Sequence, residues 1–149
     1  MVSAKYAHSC SSQGSERIIA PVNEPVDVSA RWRELQGLYL STAAELERTL
    51  QQTHQLGLSE YEVLDLVAGY ANESCTMRNL VDLTPMTQSA LSRVVERLVK
   101  AGLVERSTCD YDRRALFVGI TADGARVHDD AKREYDGLLE KAFAGAGTA

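Results

Sequence analysis

Thr87-Gln88-Ser89-Ala90-Leu91-Ser92-Arg93-Val94-Val95-Glu96-Arg97-Leu98-Val99-Lys100-Ala101-Gly102 is the stretch that decides the fold. Leu91, Val94, Val95 and Leu98 recur at i, i+3, i+4 and i+7, the period of a helix with one buried face. At about 100° per residue, Ser89, Ser92, Arg93, Glu96 and Lys100 fall on the opposite side. Gly102 stands where a C-terminal cap residue belongs.

Upstream, Met77 to Leu83 reads as a short helix with Leu80 and Leu83 inward, and Thr84-Pro85-Met86 as a tight turn, because Pro85 disfavours helix at Thr84. Asn72 to Thr76 is a connector. Ser59-Glu60-Tyr61-Glu62 has the form of a capping box that opens a helix carrying Val63, Leu64, Leu66 and Val67. Before it, Trp32, Leu35, Tyr39, Ala43, Leu46 and Leu50 keep a helical period from Val28 to about Gln55. Residues 1–26 are rich in serine, carry Pro21 and Pro25 and show no period, which predicts a mobile tail.

Downstream, residues 103–108 and 115–120 have strand character, with Leu116, Val118 and Ile120 on one face. Cys109-Asp110-Tyr111-Asp112-Arg113-Arg114 forms a polar hairpin tip between them. Thr121 caps a last helix in which Val127, Ala131, Tyr135, Leu138 and Ala142 hold the period. That helix is expected to be short, ending in Gly-Ala-Gly, with residues 145–149 frayed.

The chain of 149 residues, 44% hydrophobic and 25% charged, suits one globular domain. It has no run of 18 apolar residues and no secretory h-region at its N-terminus, so neither membrane nor export is expected. Three cysteines (Cys10, Cys75, Cys109) without CxxC spacing argue against a disulfide scaffold or zinc knuckle and for a reducing cytoplasm. A net charge of −5 excludes a protein that coats nucleic acid indiscriminately, but not a local basic face. From Arg78 to Arg114, seven basic residues against five acidic leave +2, so the rest of the chain carries −7.

Short helix, turn, helix with a polar outer face and hairpin with a basic tip together make the order of a winged helix-turn-helix. The predicted fold is mainly α with a small β-hairpin wing: a helix-turn-helix at about 77–101 and a wing at about 103–120. A helix that enters the major groove needs small polar side chains near its N-terminus, which itself favours an anion. Thr87, Gln88, Ser89 and Ser92 can donate to phosphates or read base edges. Gln88 and Ser89, in the first turn, are expected to read bases, and Ser92 and Arg93 to hold phosphates. Arg97 can reach the flanking backbone, and Arg113 and Arg114 the adjacent minor groove or its phosphates. Glu96 is expected to pair with Lys100 at i+4, clear of the DNA.

Several stretches then resemble the MarR family of transcription regulators. Residues 58–64 are similar to the start of that family's second helix, and 89–98 to its recognition helix. Residues 101–106 are similar to its helix-to-wing junction. Residues 110–114 with 120–124 resemble its wing signature and the opening of the next helix. The resemblance covers about residues 27–144 in the expected order. It implies a homodimer, with long N- and C-terminal helices interleaved about a two-fold axis, on a pseudo-palindromic operator in double-stranded DNA. It also implies an acid that orients the wing arginine, for which Asp112 and Asp110 are both candidates. A small anionic or aromatic effector between the dimerisation helices and the winged lobe is implied too, lined by Trp32, Tyr39 and His54. Read from spacing alone, Trp32 and Tyr39 fit a core or dimer seam better than a ligand pocket.

Two function classes stay open: a ligand-responsive DNA-binding regulator, a repressor in the first instance, and a winged lobe that binds protein. The modest basicity favours the second, and the wing arginines with the Ser/Thr/Gln face favour the first. Thiol-oxidation sensing through Cys75 or Cys109 is a further alternative. No nucleophile–base pair, phosphate loop or metal-ligand spacing appears, so no catalytic residue, metal or cofactor is expected.

Overall fold

A computed structural model describes residues 27–70, 75–108 and 116–146. The elements are α1 (Val28–His54), α2 (Leu58–Gly69), β1 (Cys75–Thr76), α3 (Met77–Leu83), α4 (Gln88–Lys100), β2 (Val104–Thr108), β3 (Leu116–Ile120) and α5 (Ala122–Ala146). The strands form one antiparallel sheet in the order β1-β3-β2. Val104 pairs with Ile120 and Arg106 with Val118, while Cys75 pairs with Val118 from the other side. β1 was not expected: a two-residue strand has no period of its own, and β3 supplies its backbone partners. The tail, the hairpin tip with Cys109, Asp110, Asp112, Arg113 and Arg114, and the last three residues lie outside the described residues.

The core confirms the apolar stripe of α4. Leu91, Val95 and Leu98 are buried with Val63, Leu64, Val67, Leu80 and Val118 in one cluster that holds the winged lobe together. Each such side chain contributes about 1.5–3 kcal/mol through removal from water. A second, smaller cluster of Leu50, Tyr61 and Ala131, with Leu58 and Tyr135 against it, lies where α1, α2 and α5 meet. Beyond that junction the N-terminal half of α1 leaves Val28, Trp32, Leu35, Tyr39 and Leu40 exposed, and α5 leaves Phe143 exposed.

Helix ends explain most boundaries. Thr87 caps α4 by accepting the Ala90 N–H at 3.3 Å. At the other end Gly102 has φ +73°, and the Gly102 and Leu103 N–H groups donate to the Val99 and Leu98 carbonyls. That pair of bonds is a Schellman closure, with Leu103 folded back beside Leu98 in the core. Thr121 accepts the Gly124 N–H at 3.0 Å at the start of α5.

Three expectations need correction. The α2 cap is Gly57, not Ser59: Glu60 Oε2 accepts the Gly57 N–H at 2.9 Å, and the Leu58 N–H is taken by Glu47 Oε2 of α1 at 2.6 Å. Leu83 is 53% exposed, because Thr84 turns the chain into extended backbone before Pro85 and carries Leu83 off the core. α5 is not short: it runs 25 residues, through Gly137 and Gly145, because packing along α1 outweighs the low helix propensity of glycine.

Candidate nucleic-acid interface

α4 turns its apolar stripe into the lobe and its polar side outward. Gln88, Ser89, Arg93, Glu96, Arg97 and Lys100 are exposed and Ser92 is half-buried. Thr87 is exposed as the cap residue, with its Oγ1 3.4 Å from Ser89 Oγ. The first turn of α4 thus presents a helix start, its Ala90 N–H capped by Thr87, flanked by the polar side chains of Thr87, Gln88 and Ser89. Arg93 stands one turn further on, with no ion-pair or hydrogen-bond partner among the described residues. Glu96 lies 3.7 Å from Lys100, the expected pair, which leaves Arg93 as the uncompensated charge at the centre of the face.

Arg97 is placed differently from Arg93. Its Nε donates to Glu60 Oε1 at the start of α2, so it is tied to the body of the lobe. Arg106, which the sequence reading did not single out, reaches from β2 across to the recognition helix, its Nη2 donating to the Ser92 carbonyl at 3.3 Å. It places a guanidinium between α4 and the wing strands. The signal lay in the strand register: Arg106 pairs with Val118, whose side chain belongs to the core, but the alternation alone does not reveal what lies beside β2.

Of the residues expected to line an effector site, one protomer does not gather all three. Trp32 and Tyr39 are 60% and 70% exposed on the open half of α1. His54 lies at its far end, about 33 Å from Trp32 along a helix rising 1.5 Å per residue. There its Nε2 is 3.4 Å from Glu134 Oε2 of α5, beside Thr53. A groove of about 490 Å³ between α1 and α5 is lined instead by Arg31, Leu35, Leu38, Lys141 and Ala142, among others.

The α2–α5 contact carries a second polar cluster. His128 is buried, its Nε2 2.8 Å from Asp65 Oδ1 and its Nδ1 3.2 Å from Asp129 Oδ1. It stacks on Tyr61 with ring centroids 6.1 Å apart. Burial first, then Asp65 and Asp136, push the Tyr61 phenol up, and its hydroxyl has no hydrogen-bond partner among the described residues. Cys75 is buried in β1 beside β3, and burial pushes its thiol up, so the reactive thiolate is scarce near neutral pH. Among the described residues no group of three or more metal-binding side chains is assembled, and no helix is long and apolar enough to cross a membrane.

A short helix, a turn, a helix with an outward polar face and strands packed at its C-terminal end define a winged helix-turn-helix protein. Comparison with known proteins narrows the class. The family model described as "MarR family" matches residues 54–115. The structure of AbsC, a MarR family transcriptional regulator from Streptomyces coelicolor, superposes with a TM-score of 0.72 at 25% identity, covering 79% of each chain. Sco3205, a MarR family transcriptional regulator of the same organism solved in complex with DNA, gives 0.73 at 25% identity, covering 82% of this chain and 76% of its own. The HTH-type transcriptional regulator YwhA of Bacillus subtilis (strain 168), itself uncharacterized, is 22% identical over 107 residues, 69% of this chain and 75% of its own. Residues 54–115 are thus similar to the MarR family of transcriptional regulators, and the fold is similar to that of its solved members.

Proposed function

We propose that this regulator binds a pseudo-palindromic operator in double-stranded DNA as a homodimer and represses transcription until a small-molecule effector releases it. The observation that carries the reading is the outward face of α4. Thr87, Gln88, Ser89, Ser92 and Arg93, which has no partner among the described residues, are grouped at its N-terminal half, opposite a fully buried stripe. In this reading Gln88 and Ser89 read base edges in the major groove, Ser92 and Arg93 hold phosphates, and Arg97 lies beside the flanking backbone. Arg113 and Arg114, with Asp112 or Asp110 as the orienting acid, reach the neighbouring minor groove or its phosphates. The DNA complex of Sco3205 supports DNA as the partner over protein.

The homodimer is supported by Val28, Trp32, Leu35, Tyr39, Leu40 and Phe143, a run of large apolar side chains left open along α1 and α5. A second copy covers that face in this reading, and places Trp32 and Tyr39 at the dimer seam. Effector control rests on the similarity to the MarR family. A small anionic or aromatic compound between the dimerisation helices and the winged lobe needs only to bind one spacing of the two recognition helices better than another.

The test is selection of bound fragments from the source genome by the full-length protein, with sedimentation of the same sample. The reading expects a dimer at micromolar concentration that retains a small set of fragments sharing an inverted repeat. A stable monomer, or retention without sequence preference, overturns it.

A further inference from the structure

Glu60 divides its two carboxylate oxygens between two helices. Oε2 accepts the Gly57 N–H at 2.9 Å, closing the start of α2, and Oε1 accepts from Arg97 Nε in the last turn of α4. Its side chain is only 17% exposed, against 53% for Arg97. The next amide, that of Leu58, is held by Glu47 Oε2 from α1 at 2.6 Å. Both carboxylates at this junction therefore hold N–H groups at the start of α2, one reaching from α1 and the other tied to the recognition helix. The charges also suit their places, an acid in the first turn of α2 and a base in the last turn of α4.

We propose that Glu60 is a positioning residue for DNA recognition: from the α1–α2 junction it fixes the tilt of α4 through Arg97, and so sets operator discrimination without touching DNA. The inference rests on the DNA-binding reading above and deepens it. An isolated surface ion pair contributes little and would not carry such a role. Glu60 differs because it is largely shielded, uses both oxygens, and joins residues 37 apart in sequence. About a turn and a half nearer the start of α4, the tie between Arg106 and the Ser92 carbonyl meets the helix from the wing side. The recognition helix is thereby held from α2 and from β2.

The sign of the effect separates positioning from simple electrostatics. Removing a negative charge near a DNA-facing surface strengthens binding to every sequence if charge alone matters. A positioning role predicts the reverse for the operator. The experiment compares full-length wild type, Glu60→Gln, Arg97→Gln and the double variant. Each is titrated with a selected operator fragment and a scrambled fragment, and the Arg97 Nε–H is followed by NMR in the free protein.

The expected result is operator affinity lower by about three- to thirtyfold in Glu60→Gln, with scrambled affinity unchanged or higher. The Arg97 Nε–H is protected from exchange in wild type and loses protection in Glu60→Gln. The double variant discriminates no worse than Arg97→Gln alone. Operator and scrambled affinities rising together, discrimination left intact, or an Arg97 Nε–H in wild type that exchanges as fast as that of Arg93 overturns the proposal. If wild type itself prefers no fragment, the DNA reading falls by itself, and the exchange measurement alone decides whether Glu60 holds Arg97.

Discussion

A β-carbon on Gly124 would stand 1.9 Å from the carbonyl oxygen of Leu103, so the first turn of α5 lies directly on the backbone that links α4 to β2. The Leu103 carbonyl also accepts the Thr121 N–H at 3.0 Å, and Thr121 Oγ1 lies 2.7 Å from the Gly102 carbonyl. The end of the recognition helix, the start of the wing and the start of the last helix are thus fastened at one point.

Gly124→Ala therefore forces backbone apart, with no flexible side chain to give way, and should destabilise the fold by about 1–3 kcal/mol or more. Urea unfolding followed by circular dichroism measures it. A midpoint equal to that of wild type would mean that α5 does not sit this close.

Tyr61 and His128 should respond in opposite directions. The Tyr61 hydroxyl is buried without a partner among the described residues, so Tyr61→Phe removes a desolvated group and should leave stability unchanged or raise it by up to about 1 kcal/mol. His128→Ala removes a ring held against Asp65, Asp129 and Tyr61, and should cost about 1–3 kcal/mol. Thermal unfolding of both variants checks the pair. A strongly destabilised Tyr61→Phe would reveal a partner for the hydroxyl.

How much of this was legible in the sequence follows from the range of each interaction. Leu91, Val94, Val95 and Leu98 announced their face because a helical period is local, and Gly102 announced the helix end because few other residues adopt a positive φ. The polar face of α4 followed by subtraction. The Gly-Ala-Gly at 145–147 suggested an early end to α5 because propensity is local too, whereas the packing on α1 that overrides it is not. Glu60 with Arg97 and Arg106 with the Ser92 carbonyl join residues 37 and 14 apart, and no periodicity connects them. The scatter of Trp32, Tyr39 and His54 along α1 shows the same limit, since residues sharing one helix need not share one site.

Cys75 should be inert in the native protein. Burial holds its thiol up, so the thiolate fraction at neutral pH is small and grows only as the pH rises. Iodoacetamide at neutral pH should leave Cys75 unmodified in the folded chain and label it after unfolding, read by mass spectrometry of the peptide. Rapid native labelling of Cys75 would restore oxidation sensing at this residue as a candidate.

Arg93 and Gln88 should divide affinity from specificity. Arg93→Ala is expected to weaken operator and scrambled DNA alike and to lower the salt dependence by about one phosphate per subunit. Gln88→Ala should relax sequence preference more than it lowers non-specific affinity. Titrations of both variants across a salt series decide the matter. An Arg93→Ala effect confined to the operator, or intact discrimination in Gln88→Ala, would reverse these roles.

The central claim, that α4 of each subunit reads DNA in a two-fold assembly, is tested most directly by hydroxyl-radical footprinting of the full-length protein on a selected genomic fragment. Two recognition helices on one DNA face should protect two symmetric patches about 10–10.5 base pairs apart, centre to centre, or a multiple of that spacing. A single protected patch, or protection no greater than on scrambled DNA, would contradict it.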